Sequence, residues 1–216
     1  MADLSKYGVL SLVAGIVVLV MKLGAWKVTG SVGLLSDALE SLVNIAAASV
    51  AIVALRAASR PPDQLHQFGH GKAEYFSALV EGAMIVVAAT MIIFTAVQRF
   101  LNPAPLQEIG LGLAISVLAS VINGAVAFVL FRVGRRHRSA ALIADGHQLL
   151  TDLGTTGGVL VGVILVSLTG WDRLDPIIAL AVAVNIIVVG VRLLRGSTSG
   201  LMDAALPNDE VETIRT

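Results

Sequence analysis

The sequence predicts an all-α membrane protein of six transmembrane helices with both termini in the cytoplasm. Composition is the first reason, since 56% of the 216 residues are hydrophobic, 14% are charged and the mean hydropathy is +0.86. The second reason is a set of six apolar stretches, each long enough to cross the hydrocarbon layer, which takes roughly 20 residues of helix. The third is the uneven placement of lysine and arginine between these stretches, because that placement sets orientation in a membrane.

Turn-forming residues separate the apolar stretches. Helices rarely continue through paired prolines or through segments rich in glycine and proline. Such breaks occur at Thr29-Gly30, Pro61-Pro62, Asn102–Pro105, Gly134–Arg138 and Gly170-Trp171. The predicted helices therefore cover residues 7–28, 32–56, 74–100, 108–132, 139–169 and 174–196.

Basic residues are concentrated after the second, fourth and sixth predicted helices. Because cytoplasmic connections carry an excess of lysine and arginine, this distribution predicts cytoplasmic termini. The residues that decide it are Arg56, Arg60, Lys72, Arg135, Arg136, Arg138, Arg192 and Arg195, against Lys27, Arg99 and Arg173 on the other side. Residues 1–200 are predicted to form the transmembrane domain. Residues 201–216, which are polar and acidic, are predicted to begin a truncated cytoplasmic C-terminal domain.

Two pairs of polar residues lie inside predicted membrane helices. Glu40 and Asn44 are four residues apart in the second helix, and Gln148 and Asp152 are four apart in the fifth. Residues at i and i+4 share one face of a helix, so each pair can direct two donor atoms to one point. Ionisable residues at membrane depth indicate a functional site. Together the two helices would provide a site with four ligands.

Each pair belongs to a longer polar stripe, which Asp37 extends in the second helix and Asp145 in the fifth. Hydrogen bonding between helices accounts for isolated amides such as Asn44. It accounts poorly for Asp37, Glu40 and Asp152, because unpaired carboxylates are costly in a membrane and helices two and five carry no basic residue at that depth. A cation is their expected partner.

A row of small residues, Gly154, Gly158 and Gly162, follows the polar stripe of the fifth helix. Small residues spaced four apart allow helix backbones to approach closely in lipid. We therefore expect this row to pack against residues 46–48 of the second helix and to bring the two polar stripes together.

The connection after the second helix carries Asp63, His66 and His70. Carboxylate and neutral imidazole are common ligands of zinc and related divalent metals. A single loop histidine is usually solvated surface, but one carboxylate and two imidazoles at this spacing indicate a second metal site. The chain has no cysteine, so no thiolate ligand is available.

Several motifs together resemble the cation diffusion facilitators. They are the helix-two motif Ser36–Asn44, the loop motif Phe68-Gly69-His70-Gly71-Lys72, the helix-five motif Asp145–Asp152, Asp175-Pro176, and residues 201–207. The resemblance implies a dimeric exporter of zinc or another divalent transition metal, driven by inward proton movement, with a cytoplasmic domain after the sixth helix. It also implies a fold of the same six-helix type.

The resemblance also implies roles for individual residues. The family's transport site matches Glu40, Asn44, Gln148 and Asp152, and its loop site matches Asp63, His66 and His70. An ion pair near the family's dimer and domain junction matches Lys72 and Asp203. Possible accessory residues are Asp37, Asp145 and His147.

The transport-site motif departs from the zinc members of the family, which usually have histidine at one or two of its positions. His147 precedes Gln148, which places it about 100° around the helix, and it could serve only if the helix were locally rewound. An all-oxygen set is harder and favours Mn²⁺, Fe²⁺ or even Mg²⁺ over a typical zinc site. Without imidazole, Glu40 is the candidate proton carrier.

The function predicted from these observations is secondary active export of a divalent cation such as Zn²⁺, Mn²⁺ or Fe²⁺. A non-transporting membrane metal sensor or scaffold is the alternative. An intramembrane enzyme is disfavoured, because the chain has no cysteine and no serine in a recognisable catalytic context. The expected partners are metal cations, protons, the lipid bilayer and a second copy of the chain, with no organic cofactor and no nucleic acid. The expected location is a bacterial inner membrane.

Overall fold

The structure is a computed structural model that describes residues 5–67 and 69–202. These residues form six α-helices and no strand, and every helix is long and apolar enough to cross a membrane. The helices are α1 Ser5–Thr29, α2 Val32–Ala58, α3 Lys72–Leu101, α4 Ile109–His137, α5 Ala140–Thr169 and α6 Leu174–Leu201. The predicted number and order of helices are confirmed. The boundaries differ most at the ends of α4 and α6, which continue beyond residues 132 and 196.

Two groups of helices form the bundle. In one group α3 packs most extensively against α6 and also against α2, and in the other α4 lies between α1 and α5. Helix α2 joins the groups, since it also contacts α1, α5 and α6. Close approach of α3 and α6 depends on Gly82 and Gly190: a Cβ atom at Gly190 would lie 2.7 Å from a side-chain carbon of Ile85.

A carboxylate of α6 fixes the start of α2. Asp175 accepts hydrogen bonds from Ser31 Oγ at 2.5 Å and from the backbone N–H groups of Val32 at 2.7 Å and Gly33 at 3.2 Å. Ser31 is itself the N-cap residue, and its side chain accepts from the N–H of Leu34. These bonds satisfy backbone donors that have no partner inside the helix. They also fix the position of the α2 polar stripe relative to α6.

The predicted role of the glycine row in α5 is wrong. Gly162 packs against α6 rather than α2, and a Cβ atom at Gly154 or Gly158 would meet no atom within 4 Å. The small residue that brings α2 and α5 together lies in α2 instead, where a Cβ at Gly33 would be 3.2 Å from Val159 Cγ1. Spacing alone identified a face of small residues but not the helix that this face meets.

Candidate cation site

A buried lysine of α1 lies between aspartates of α2 and α5. The Nζ atom of Lys22 is 2.8 Å from Asp37 Oδ1 and 3.3 Å from Asp152 Oδ2, and it also donates to Ser41 Oγ at 2.8 Å. The exposed fractions are 2% for Lys22, 2% for Asp37 and 7% for Asp152. Buried charges persist in a protein when they are paired and hydrogen-bonded. The carboxylates of the two polar stripes thus share one cationic partner from the chain itself.

This ion pair corrects the expectation that the carboxylates have no basic partner. That expectation rested on the lack of basic residues at that depth in helices two and five, whereas Lys22 belongs to helix one. A signal was present in the sequence, because a lysine near the end of an apolar span is an ionisable residue at membrane depth. Sequence reasoning also missed Ser41, Asn123 and Thr156 as members of the cluster.

Asp152 is the residue on which the helices converge. Its Oδ1 accepts from Asn44 Nδ2 at 3.1 Å. Its Oδ2 accepts from Ser41 Oγ at 3.3 Å and from Asn123 Nδ2 at 3.4 Å, as well as from Lys22. These donors come from α1, α2 and α4, so one carboxylate of α5 holds three other helices. The predicted partners Asn44 and Asp152 are therefore in direct contact.

Several oxygens of this cluster have no hydrogen-bond partner among the described residues. They are Oδ2 of Asp37, Oε2 of Glu40 and Oδ1 of Asn123, and all three atoms are buried. Glu40 lies between Asp37 and Asn44 on the polar stripe of α2, which places its carboxylate on the helix face that bears this cluster. Buried acceptors normally have a partner. Oxygens that lack one can serve as ligands of a cation.

A cavity of about 620 Å³ between α1, α2 and α5 reaches this cluster. Gly8 and Arg56 line one end, and the walls between that end and the cluster are mostly apolar. The polar side chains on its lining include Ser41, Asn44, Asn123, Asp145, Gln148 and Asp152. A small hydrated cation could therefore reach Asp152 through this cavity.

The other predicted residues of α5, which are Gln148, Asp145 and His147, are not among the hydrogen-bond partners of Asp152. Gln148 is exposed and lines the cavity, but it is not among the residues bonded to Asp152. Asp145 is half-buried on the same lining. The ring of His147 instead packs edge-on against Phe131 of α4, with centroids 4.8 Å apart, and it is absent from the cavity lining. Helix α5 is continuous here, so no local rewinding brings His147 into the site.

The loop residues Asp63, His66 and His70 lie together. Asp63 Oδ1 is 3.0 Å from His66 Nδ1, Asp63 Oδ2 is 3.5 Å from His70 Nε2, and the imidazole centroids are 4.3 Å apart. One potential ligand atom from each residue lies within 4.8 Å of the others. Hydrogen bonds hold the pKa of the Asp63 carboxyl below its usual range. The bond from the backbone N–H of His66 contributes most, and the bonds with the His66 side chain and from the N–H of Leu65 contribute less.

The predicted ion pair between Lys72 and Asp203 falls partly outside the described residues, since Asp203 is not among them. Lys72 Nζ donates to the backbone oxygen of Leu201 at 3.1 Å. This bond connects the start of α3 to the end of α6.

The fold and the site together define a class of protein: an integral membrane protein whose described residues form six helices, with a cavity leading to a buried cluster of charged and amide groups. Residues 8–202 match the cation efflux transmembrane domain, and the chain belongs to this family. The resemblance to the cation diffusion facilitators is thereby confirmed. Family membership makes the chain a cation efflux transporter rather than an enzyme.

Curated relatives agree with this assignment. A protein of Synechocystis sp. named uncharacterized transporter sll1263 is 51% identical over 208 residues, which is 96% of this chain and 67% of the relative. The cation-efflux pump FieF of Klebsiella pneumoniae is 36% identical over 200 residues, with 92% of this chain and 66% of the relative covered. The cation-efflux pump FieF of Citrobacter koseri is 32% identical, with 97% of this chain and 70% of the relative covered. The chain spans about two thirds of the length of these relatives.

Proposed function

We propose that this chain exports a divalent transition-metal cation, Mn²⁺, Fe²⁺ or Zn²⁺, from the cytoplasm in exchange for protons. The observation that carries the proposal is the cavity that ends at Asn44 and Asp152. The end lined by Arg56 is the cytoplasmic one if the basic connections are cytoplasmic. The cavity would then give a cytoplasmic cation access to buried carboxylate and amide oxygens. The relatives named cation-efflux pump support the same direction of transport.

The proposed transport site consists of Glu40, Asn44, Gln148 and Asp152. Asp152 supplies the central carboxylate, and Glu40 supplies an oxygen without a hydrogen-bond partner. Asn44 donates to Asp152 through its nitrogen, which leaves its amide oxygen for the cation. Gln148, exposed on the cavity lining, would complete the set after a change of side-chain rotamer. Carboxylate and amide oxygens are ligands that Mn²⁺ favours, whereas a typical zinc site includes imidazole.

Proton exchange in this site falls to Glu40, because no imidazole is part of the set. Its carboxylate is partly buried close to two other carboxylates, and release of a metal would leave like charges together. A carboxylate that takes up a proton as the metal leaves reduces that repulsion. Asp37 and Asp145 are proposed to influence the site from its surroundings rather than to bind the metal.

The loop site formed by Asp63, His66 and His70 is proposed to bind a second divalent ion at the cytoplasmic surface. Its mixture of carboxylate and imidazole suits zinc and related metals. It lies outside the membrane helices, so its role would be capture of metal or regulation of transport. The same exposure favours the alternative of a metal sensor or scaffold, which would need only this site.

We propose a homodimer in a bacterial inner membrane with both termini cytoplasmic, in which residues 1–200 form the transmembrane domain and 201–216 begin a cytoplasmic one. The pair Lys72–Asp203 would tie the start of α3 to the end of α6 near the dimer and domain junction, and the bond from Lys72 to Leu201 supports this proposal.

Flux in sealed vesicles tests the proposed function. The chain is reconstituted into proteoliposomes with a metal-sensitive dye and a pH-sensitive dye inside, and Mn²⁺, Fe²⁺ or Zn²⁺ is added outside. We expect metal influx that saturates with concentration and is accompanied by alkalinisation of the vesicle interior, because protons leave as the metal enters. Metal binding without any flux would support the sensor instead, and metal flux without a pH change would exclude proton antiport.

A further inference from the structure

We propose that Lys22 is a tethered cation of the transport site, which stays paired with Asp37 and shares Asp152 with the transported ion. In the structure its ammonium group touches both carboxylates. When a metal binds to Asp152, Lys22 has to give up that contact, and it recovers the contact when the metal leaves. This inference rests on the proposed transport function and assigns a role in it to a residue outside the predicted ligand set.

The two contacts of Lys22 are unequal. The distance to Asp37 is 2.8 Å and the distance to Asp152 is 3.3 Å. Asp37 is also held by the hydroxyl of Thr156, which donates to the same oxygen at 2.7 Å, and Ser41 accepts a bond from Lys22 at 2.8 Å. The lysine is therefore fixed to Asp37 and Ser41, and its contact with Asp152 is the longest of the three.

The cavity reaches the site from the side of Asp152. Asp152 and Ser41 line it, whereas Lys22 and Asp37 do not. An ion that arrives through the cavity therefore meets Asp152 first, with Lys22 on the far side of the same carboxylate. Two cations on one carboxylate repel each other strongly in a medium of low dielectric constant. The ammonium must move away from Asp152 or the metal must bind more weakly.

The charges of the cluster fit this role. Lys22 and Asp37 together carry no net charge, so the carboxylates left for the transported ion are Glu40 and Asp152. When both are ionised, their charge balances that of one divalent cation. Unpaired buried oxygens on Asp37, Glu40 and Asn123 show that the hydrogen bonds in the cluster do not exhaust its acceptors. Without Lys22, three carboxylates would face one divalent ion, which would hold it more tightly and release it more slowly.

Two variants test the sign of the effect. In Lys22→Met/Asp37→Asn the competing ammonium and its nearest carboxylate are both removed, so the net charge of the cluster is unchanged and Asp152 has no cationic partner until a metal binds. In Asp37→Asn alone, Lys22 loses its charged anchor and keeps Ser41, so Asp152 becomes the carboxylate with which the ammonium pairs. We expect the dissociation constant for Mn²⁺ to fall at least about tenfold in the double variant and to rise at least about tenfold in the single one, each about 1.4 kcal/mol.

The measurement is calorimetric titration of Mn²⁺ into the chain in nanodiscs, with His66→Ala and His70→Ala present throughout to remove the loop site. Transport by the same proteins gives a second measurement, in which the double variant should show a lower concentration for half-maximal rate and a lower maximal rate. A purely structural ion pair would change the thermal stability of the variants but would not move the two dissociation constants in opposite directions.

The outcomes separate this inference from the proposed function. If the parent protein transports Mn²⁺ and both variants bind it within about threefold of the parent, the tethered-cation role is wrong and the transport function stands. If the parent neither binds nor transports any of the divalent metals, the transport function fails, and the inference fails with it.

A measurement on the unaltered lysine covers the case in which the variants do not fold. The chain is labelled with ¹⁵N at lysine Nζ, and the Lys22 signal is assigned by its loss in Lys22→Arg. Titration with Cd²⁺, a diamagnetic divalent ion, should shift this signal in proportion to occupancy of the membrane site. A Lys22 signal that stays unchanged while Cd²⁺ binds there would overturn the proposal.

Discussion

The buried cluster around Asp152 and the loop cluster around Asp63 are both centred on a carboxylate, but in opposite surroundings. Asp152 is 7% exposed and is bonded to residues of three other helices, whereas the side chains of Asp63 and His66 are both 52% exposed and their partners lie within the same short segment. In the membrane a carboxylate needs a cation from the protein, and Lys22 provides it. At the surface, water can solvate the charge.

This difference has consequences for metal binding at each place. A metal bound in the buried cluster would replace bonds that hold helices together, so its binding would be coupled to their arrangement. A metal bound in the loop would join side chains that a local turn already brings together, since Asp63 accepts from two backbone N–H groups within three residues. We therefore expect changes in the first cluster to alter transport itself and changes in the second to alter its dependence on metal concentration.

The largest expected effect follows from Asp152→Ala. Transport should fall by at least about a hundredfold, because the substitution removes the carboxylate common to the cavity and the buried cluster. The fold should persist, since Lys22 keeps its bonds to Asp37 and Ser41. Initial rates of Mn²⁺ uptake in proteoliposomes provide the measurement, with size-exclusion elution and thermal stability as checks of folding.

Asp172→Ala is the matched control for this change, because it removes a carboxylate in the connection between α5 and α6, outside the cavity lining. Its uptake rate should equal that of the parent protein. Uptake by folded Asp152→Ala at the parent rate would show that the buried cluster is structural and is not on the path of the cation.

The next effect concerns the loop, where His66→Ala/His70→Ala should remove one bound metal per chain. Transport at metal concentrations well below half-saturation should fall roughly tenfold, while the rate at saturating metal should stay within about twofold, because the buried cluster is intact. Metal content after desalting and uptake over a range of concentrations would measure both. A complete loss of transport at saturating metal, with the fold preserved, would place the loop on the main path.

The positions of the helices could be predicted from the sequence because spanning length and apolar composition determine them almost locally. The two polar stripes were predictable for the same reason, since each lies on one helix. The contact between Asn44 and Asp152 depends on how α2 and α5 are rotated, and the stripes implied it. The loop cluster is local as well, and the spacing of its residues was sufficient to indicate it.

What the sequence did not indicate depends on contacts between helices distant in the chain. Lys22 lies 130 positions from Asp152, and Asn123 of α4 belongs to no recognised motif. The capping of α2 by Asp175 also joins residues of opposite ends of the chain. The glycine row was misassigned because small residues show which face allows close packing, but the partner is set by the whole bundle.

A smaller effect is expected from Gln148→His, which tests how far the cavity lining contributes ligands. Imidazole is favoured by zinc, so the ratio of Zn²⁺ to Mn²⁺ transport should rise several-fold if Gln148 touches the metal. Competition between the two ions in vesicles measures this ratio. Asp145→Asn, a change on the same lining outside the proposed ligand set, is the comparison variant. An unchanged ratio in Gln148→His would remove this residue from the site.

The smallest effect on transport is expected from acid, which should weaken metal binding at the loop cluster. Imidazole must be deprotonated to bind a metal, and histidine ordinarily titrates near pH ~6.5. Binding to the loop should therefore weaken as the pH falls from 7.5 to 5.5. The two imidazoles should take up as many as two protons for each metal ion that is released.

The local turn should respond at a different pH. The backbone bonds of Asp63 lower its pKa, so their contribution is present above the ordinary aspartate value and is lost only as the pH falls through the lowered one. Between pH 7.5 and 5.5 the N–H groups of Leu65 and His66 should stay hydrogen-bonded to Asp63 while the metal is released. Calorimetry and amide NMR on the same samples separate the two events. Loss of both together would mean that the metal, rather than the Asp63 turn, orders the loop, and the contrast between a preformed surface turn and a buried cluster held by other helices would not hold.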